Sequence, residues 1–149
     1  MHRVAEAFCS ELTIPFLHIA DPTGTRIVEA GLKRIALLGT KPVMSSAYMR
    51  EYYEQKFGLE VLVPSEEDIP LIHSVIFNEL VRGEVREESR HEYLRVCSAL
   101  QQQGAQGVVL GCSEIFMLLR QEDCPQLPLF DTTALHVEAI VNYALSEEP

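Results

Sequence analysis

The chain has 149 residues, enough for one domain with its own core and little more. Hydrophobic residues make up 47% of it and charged residues 23%, a balance typical of a folded globular protein rather than a disordered one. The net charge of -10 comes from scattered acidic residues, and no region is enriched in Lys and Arg, so nucleic acid is not an expected partner. No apolar run approaches the roughly 20 residues of a membrane span, so a membrane is not an expected partner either.

Short apolar runs recur along the chain, and each is too short to be a helix. Their nearly continuous apolar character is typical of parallel strands that are buried on both faces. The predicted strands, in chain order, are Ile14–Ile19, Arg34–Leu38, Leu59–Val63, Gly107–Leu110 and Leu127–Phe130.

Segments with helical periodicity separate these runs. Asp21-Pro22 predicts a helix start, Ser65–Asp68 resembles a capping box, and Gly31, Gly58 and Gly104 are expected to end helices. The predicted apolar stripes are Val4, Ala5, Phe8 and Leu12; Ile69, Ile72, Ile76 and Leu80; Tyr93, Cys97 and Leu100; and Val137, Ile140, Val141 and Ala144.

Alternating strands and helices predict right-handed parallel crossovers, hence a three-layer α/β sandwich around a four-stranded parallel sheet. We expect residues 33–131 to form this α/β lobe. Residues 1–32 (helix, strand, helix) and the C-terminal helix in residues 132–149 are expected to be remnants of a second lobe whose main strands are absent. The chain is therefore interpreted as truncated.

The strongest site candidate is Gly111-Cys112-Ser113-Glu114, which directly follows a predicted strand. Sites in parallel sheets form beyond the carboxyl ends of the strands, where helix N-termini expose N–H groups. A cysteine there is expected to have a lowered pKa and to act as a nucleophile or base. A small buried residue in a strand-to-helix turn gives the same pattern, and spacing alone does not separate the two interpretations.

The remaining polar candidates are weaker. Thr40 ends the second predicted strand with a hydroxyl that could meet a small anion, and Thr132 follows the last strand as part of an expected helix cap. Cys9 and Cys97 are expected to pack in the core, and Cys124 lies in a polar loop with no predicted role. The cysteine and histidine spacings predict reduced thiols, no metal site and a cytoplasmic protein.

Five segments, taken together and in order, resemble the aspartate/glutamate racemase superfamily, most closely its aspartate racemase branch. They are Pro15–Asp21, Ile35–Thr40, Leu59–Pro64, Gly107–Ile115 and Pro128–Thr133. The resemblance implies two α/β lobes with the active site between them, no pyridoxal phosphate or other cofactor, an amino-acid or dicarboxylate substrate, and a homo-oligomer.

The resemblance also implies a mechanism in which each lobe supplies one cysteine, and the two thiols act on opposite faces of the substrate α-carbon. Cys112 corresponds to the second-lobe cysteine. The first-lobe cysteine of the family lies in a Cys-Asn-Thr-Met-His motif, and this chain begins at the last two positions of that motif, Met1-His2. We therefore expect the chain to be the C-terminal part of such a racemase, with negligible racemase activity alone.

The resemblance assigns substrate contacts to Thr40, Ser113 and Thr132, and a basic group facing the substrate to Arg82. Val43 stands where relatives often carry a threonine, so the identity of the substrate stays open. Two alternatives also stay open: a decarboxylase of malonate-type acids that uses Cys112 alone as its proton donor, and a non-catalytic racemase-lobe remnant with exposed, self-associating apolar faces.

Overall fold

The computed structural model describes Cys9 and residues 12–146 of the chain. Four parallel strands form one sheet, as predicted, and their order in the sheet is β2-β1-β3-β4. The strands are β1 (Arg34–Leu38), β2 (Glu60–Leu62), β3 (Val108–Leu110) and β4 (Leu129–Asp131).

Seven α-helices and two short 3-10 turns surround this sheet in the described part of the chain. The 3-10 turns are Leu80–Arg82 and Gln121–Asp123. The helices are α1 (Ala20–Glu29), α2 (Lys41–Ser45), α3 (Ala47–Phe57), α4 (Asp68–Asn78), α5 (Glu87–Gln102), α6 (Ile115–Leu118) and α7 (Thr132–Leu145). In the described residues, none of these helices is long and apolar enough to cross a membrane.

The predicted helix ends agree with the structure at most positions. Gly31, Gly58 and Gly104 all follow helices with left-handed backbone, at φ values between 66° and 101°. Ser65 acts at the start of α4, where its Oγ accepts a hydrogen bond from the Asp68 N–H at 3.2 Å. The start of α1 was predicted late: the helix begins at Ala20 rather than at the Asp21-Pro22 pair.

The sheet separates two apolar cores, because successive side chains of a strand point to opposite faces. Along β1, Ala36 and Leu38 pack with α4 and α5, whereas Ile35 and Leu37 pack with α1 and α3. All four side chains are at most 1% exposed. This burial on both faces explains why the strand sequences are continuously apolar.

The strand predicted at Ile14–Ile19 is wrong. Residues 13–19 have no regular secondary structure, and Ile14 is 70% exposed. An apolar run becomes a strand only when a neighbouring strand satisfies its backbone groups, and the described residues supply no such neighbour. The stripe predicted at Val4, Ala5 and Phe8 lies outside the described residues.

Candidate functional site

Three strands end together at the carboxyl edge of the sheet. Leu38 of β1 pairs with Leu110 of β3, and Leu110 pairs with Asp131 of β4. The residues that follow each strand therefore emerge side by side at this edge. They include three residues predicted for the site, namely Thr40, Cys112 and Thr132.

The loops after β1 and β3 lie in close backbone contact. The Gly111 N–H donates to the Leu38 carbonyl at 2.7 Å, and a Cβ placed on Gly111 would lie 2.7 Å from that same oxygen. The Val43 side chain covers both Gly39 and Gly111. This position of Cys112 therefore depends on a residue without a side chain at position 111.

Cys112 is half-buried, and its Sγ donates a hydrogen bond to Glu114 Oε2 at 2.9 Å. Burial, followed by the adjacent Glu114 carboxylate, raises the pKa of this thiol to about 11. The predicted lowering of the pKa is therefore wrong. The following helix, α6, has only four residues, and backbone hydrogen bonds at Ser113 and Glu114 lower the thiol pKa less than burial and the carboxylate raise it.

The thiol and the carboxylate form one proton-sharing unit. The hydrogen bond from Cys112 is the main cause that holds the pKa of Glu114 below its usual range. At neutral pH the pair is therefore a protonated thiol beside an ionised carboxylate. The sequence did not identify Glu114 as a partner, although its position two residues after the cysteine was the available signal.

Thr132 is buried, and its hydroxyl donates to the Leu110 carbonyl at 2.8 Å. Because the hydroxyl proton is used in this bond, Thr132 Oγ1 can interact with another partner only as an acceptor. Asp131 caps the N-terminus of α7, since its carboxylate accepts hydrogen bonds from the Thr133 and Ala134 N–H groups.

Thr40, Ser113 and Arg82 are more accessible. Thr40 is half-buried at the start of α2, where its carbonyl accepts the Val43 N–H at 2.9 Å, and Ser113 is exposed beside Cys112. Arg82 is exposed at the end of a 3-10 turn that packs against α6, the helix that follows the Cys112 loop. His136, in the second turn of α7, contacts the Leu17 carbonyl through Nε2 at 2.9 Å.

Cavity size does not by itself locate the site. An open hollow of about 480 Å³ is lined by Lys41, Pro42, Ser45, Ser46 and His73, and Thr40 is not among its lining residues. A second hollow of about 440 Å³ is lined by Cys9, Phe16, His18, Asp21, Tyr52, Gln55 and Lys56 and does not include Cys112. The carboxyl edge is the better guide, because that is where the backbone positions reactive groups. Within the described residues, no cluster of three or more metal-ligating side chains occurs.

The other cysteines differ in part from expectation. Cys97 is buried in the core as predicted, whereas Cys9 is exposed. Cys124 packs against the core cluster that contains Cys97, and the two residues line the same hollow. Nothing in their sequence spacing indicated this contact, because the two residues lie on different elements.

The fold and the site define an open α/β protein with a half-buried free thiol at the carboxyl edge of a parallel sheet. Residues 1–140 match the Asp/Glu/Hydantoin racemase family, and the chain belongs to that family.

Solved structures agree with this assignment. A Yersinia pestis protein described as a candidate Asp/Glu racemase is 40% identical with a TM-score of 0.92, over 98% of this chain and 63% of its own. An aspartate racemase homologue from Pyrococcus horikoshii is 28% identical with a TM-score of 0.89, over 97% of this chain and 63% of its own. The aspartate racemase of Picrophilus torridus shares the fold at 19% identity and a TM-score of 0.65, over 94% of this chain and 58% of its own. This chain thus spans less than two thirds of the length of each of these relatives.

Proposed function

We propose that this chain provides one proton-transferring half of an amino-acid racemase site that works without pyridoxal phosphate, with Cys112 as its acid–base group. The observation that carries the proposal is the Cys112–Glu114 hydrogen bond of 2.9 Å at the carboxyl edge of the sheet. Membership of the racemase family supports the same assignment.

The protonation state of Cys112 fits the second half of a racemisation. After a base removes the α-proton from one face, the carbanion must receive a proton on the other face. A thiol with a pKa near 11 is protonated at neutral pH and can supply that proton. Its S–H bond breaks as the new C–H bond forms, and the thiolate that remains is the base for the reverse direction.

The carbanion also requires nearby hydrogen-bond donors. The exposed Ser113 hydroxyl and the half-buried Thr40 hydroxyl are the donors that this edge can offer. Arg82 is the proposed partner for a substrate carboxylate, and an acidic amino acid is the substrate class that such a partner favours. Val43 adds no donor beside Gly39, so the carboxylate contacts must come from the other residues.

The test is exchange of the substrate α-proton in D2O, followed by proton NMR on L-aspartate. We expect the unsubstituted chain to exchange slowly and to form almost no D-aspartate, because inversion requires a second acid–base group on the opposite face. Cys112→Ser should reduce exchange by about 100-fold or more, to the level of buffer. Cys124→Ser, which replaces a thiol outside the proposed site, should leave the exchange rate unchanged.

Equal exchange by the Cys112→Ser variant and the unsubstituted chain would exclude Cys112 as the acid–base group. Rapid accumulation of D-aspartate would instead show that the chain holds a complete two-face site, and would overturn the single-half proposal.

A second function is favoured by one specific observation, the raised pKa of Cys112. A decarboxylase of malonate-type acids needs a single protonated thiol to quench the carbanion that loss of CO2 leaves behind. Incubation with a disubstituted malonate separates the two functions, since only the decarboxylase releases CO2 and yields a product with one carboxylate fewer.

A further inference from the structure

Two thiols that the proposed proton transfer does not use lie together on the α5 side of the sheet. Cys97 is in the middle of α5 and is 2% exposed, whereas Cys124 is half-buried just after the second 3-10 turn. Cys124 packs against the core cluster that contains Cys97, and both residues line an open hollow of about 240 Å³. One sulfur is therefore shielded and the other faces solvent.

The loop that carries Cys124 is held in place by several contacts. The Cys124 carbonyl accepts hydrogen bonds from Gln121 Nε2 at 2.9 Å and from the Leu127 N–H at 3.0 Å. Asp123 forms an ion pair with Arg90 of α5 at 3.8 Å. These contacts keep the loop against α5, so the approach of the two sulfurs is set by the fold and not by a single side-chain rotamer.

We propose that Cys97 and Cys124 form a redox dithiol that is oxidised to an intramolecular disulfide by low-molecular-weight disulfides such as oxidised glutathione. In the first step the Cys124 thiolate attacks the external disulfide; its S–S bond breaks, a mixed disulfide forms on Cys124, and one glutathione thiolate leaves. In the second step Cys97 loses its proton and attacks the Cys124 sulfur, which expels the second glutathione thiolate. Two protein thiols are oxidised, and one external disulfide is reduced to two thiols.

The order of the two steps follows from accessibility and from the shared proton. The hydrogen bond from Cys97 lowers the pKa of Cys124, while that bond and burial raise the pKa of Cys97. Cys124 is thus both the more exposed and the more readily ionised thiol of the pair, as an attacking thiol must be. Cys112 is a poor competitor, because its pKa is raised to about 11.

The disulfide would join α5 to the segment that leads from the Cys112 loop into β4. That segment crosses from the carboxyl edge of the sheet to its amino edge, since β3 and β4 are parallel. Oxidation would therefore restrain the connection on which the Cys112 loop depends. The dithiol proposal does not require any proton transfer by Cys112.

The experiment treats the whole chain with oxidised glutathione, blocks the remaining thiols with N-ethylmaleimide, and maps the peptides by mass spectrometry. We expect a Cys97–Cys124 disulfide, reversed by dithiothreitol, in the unsubstituted chain. Cys97→Ser should instead accumulate glutathione on Cys124, because the resolving thiol is absent. Cys124→Ser should abolish the disulfide, and Cys112→Ser should form it at the unsubstituted rate.

The mapping of the unsubstituted chain decides the matter even if a variant fails to fold, which circular dichroism would reveal. A stable mixed disulfide on Cys124 with Cys97 reduced would overturn the proposal. So would a disulfide that uses Cys9 or Cys112, or resistance of both Cys97 and Cys124 to oxidised glutathione under conditions in which Cys9 reacts.

Discussion

At the scale of single residues, the central feature is the charge beside the candidate proton donor. Glu114→Gln keeps the size of the side chain and an oxygen that can accept the Cys112 hydrogen bond, but it removes the negative charge. We expect the pKa of Cys112 to fall from about 11 toward 9.0 without reaching it, because burial is the larger cause of the shift. The measurement is the pH dependence of iodoacetamide alkylation at Cys112, resolved by peptide mass spectrometry.

The matched control for this substitution is Glu122→Gln, which removes the same charge from an exposed position in the second 3-10 turn. It should leave the alkylation midpoint of Cys112 unchanged. An unchanged or higher midpoint in Glu114→Gln would show that the carboxylate does not influence the thiol.

The raised pKa of Cys112 also makes a prediction about stability. A group whose pKa is higher in the folded state stabilises the fold fully below its unfolded pKa, and this contribution is lost as the pH rises through the folded value. For Cys112 the window lies between pH 9.0 and about 11. We expect the free energy of unfolding to fall by about 1 kcal/mol across this window. This is less than a pKa shift of two units in a fully buried group would give, because the thiol is only half-buried.

Urea unfolding of the unsubstituted chain and of Cys112→Ser, at several pH values across this window, measures that contribution. The difference in free energy of unfolding between the two proteins should change through the window. Titration of the tyrosines other than Tyr93, whose pKa is raised mainly by burial and in part by Cys112, is common to both proteins. Parallel pH dependences would contradict the assignment of a raised pKa to Cys112.

At the scale of the elements, the contact between the loops after β1 and β3 decides where Cys112 lies. Gly111→Ala would place a methyl group 2.7 Å from the Leu38 carbonyl, a backbone atom that cannot rotate away. We expect a loss of roughly 2 kcal/mol in free energy of unfolding, from strain and from weakening of the 2.7 Å Gly111–Leu38 hydrogen bond.

Chemical denaturation of Gly111→Ala measures that loss. Ser113→Ala, in the same loop but exposed, is the control and should change stability by less than about 0.5 kcal/mol. A Gly111→Ala variant as stable as the unsubstituted chain would mean that the two loops can separate without cost.

The strands and helices could largely be predicted from sequence at this scale, and the error at Ile14–Ile19 shows the limit of that approach. Periodicity reports which side chains are apolar, but it does not report whether a neighbouring strand is present. The segment is irregular and Ile14 is exposed, although its composition is as apolar as that of β1.

At the scale of the whole molecule, the outer face of α7 is apolar and uncovered in the described part of the chain. Val137, Ile140 and Val141 are 54%, 43% and 47% exposed. An apolar surface of this kind favours self-association. We expect a double substitution, Val137→Lys with Val141→Lys, to shift the chain toward monomer.

Sedimentation velocity at several protein concentrations measures that shift. Val85→Lys is the matched control, since Val85 is similarly exposed, at 44%, but lies in the loop before α5. If association persists in the double variant, or if Val85→Lys weakens it equally, the self-association does not depend on the outer face of α7.

The sequence by itself determined the family, the four parallel strands, most helix ends and the position of Cys112 after β3, because each depends on residues adjacent in the chain or on a repeating apolar pattern. The tertiary structure decided the rest. The pKa of Cys112 was predicted with the wrong sign, since it depends on burial and on the direction in which Glu114 points. The pairing of Cys97 with Cys124 and the exposure of Cys9 likewise depend on which elements pack together. Local pattern shows which groups a chain carries, whereas the solvation and charge around each group depend on how the elements pack and on where the side chains point.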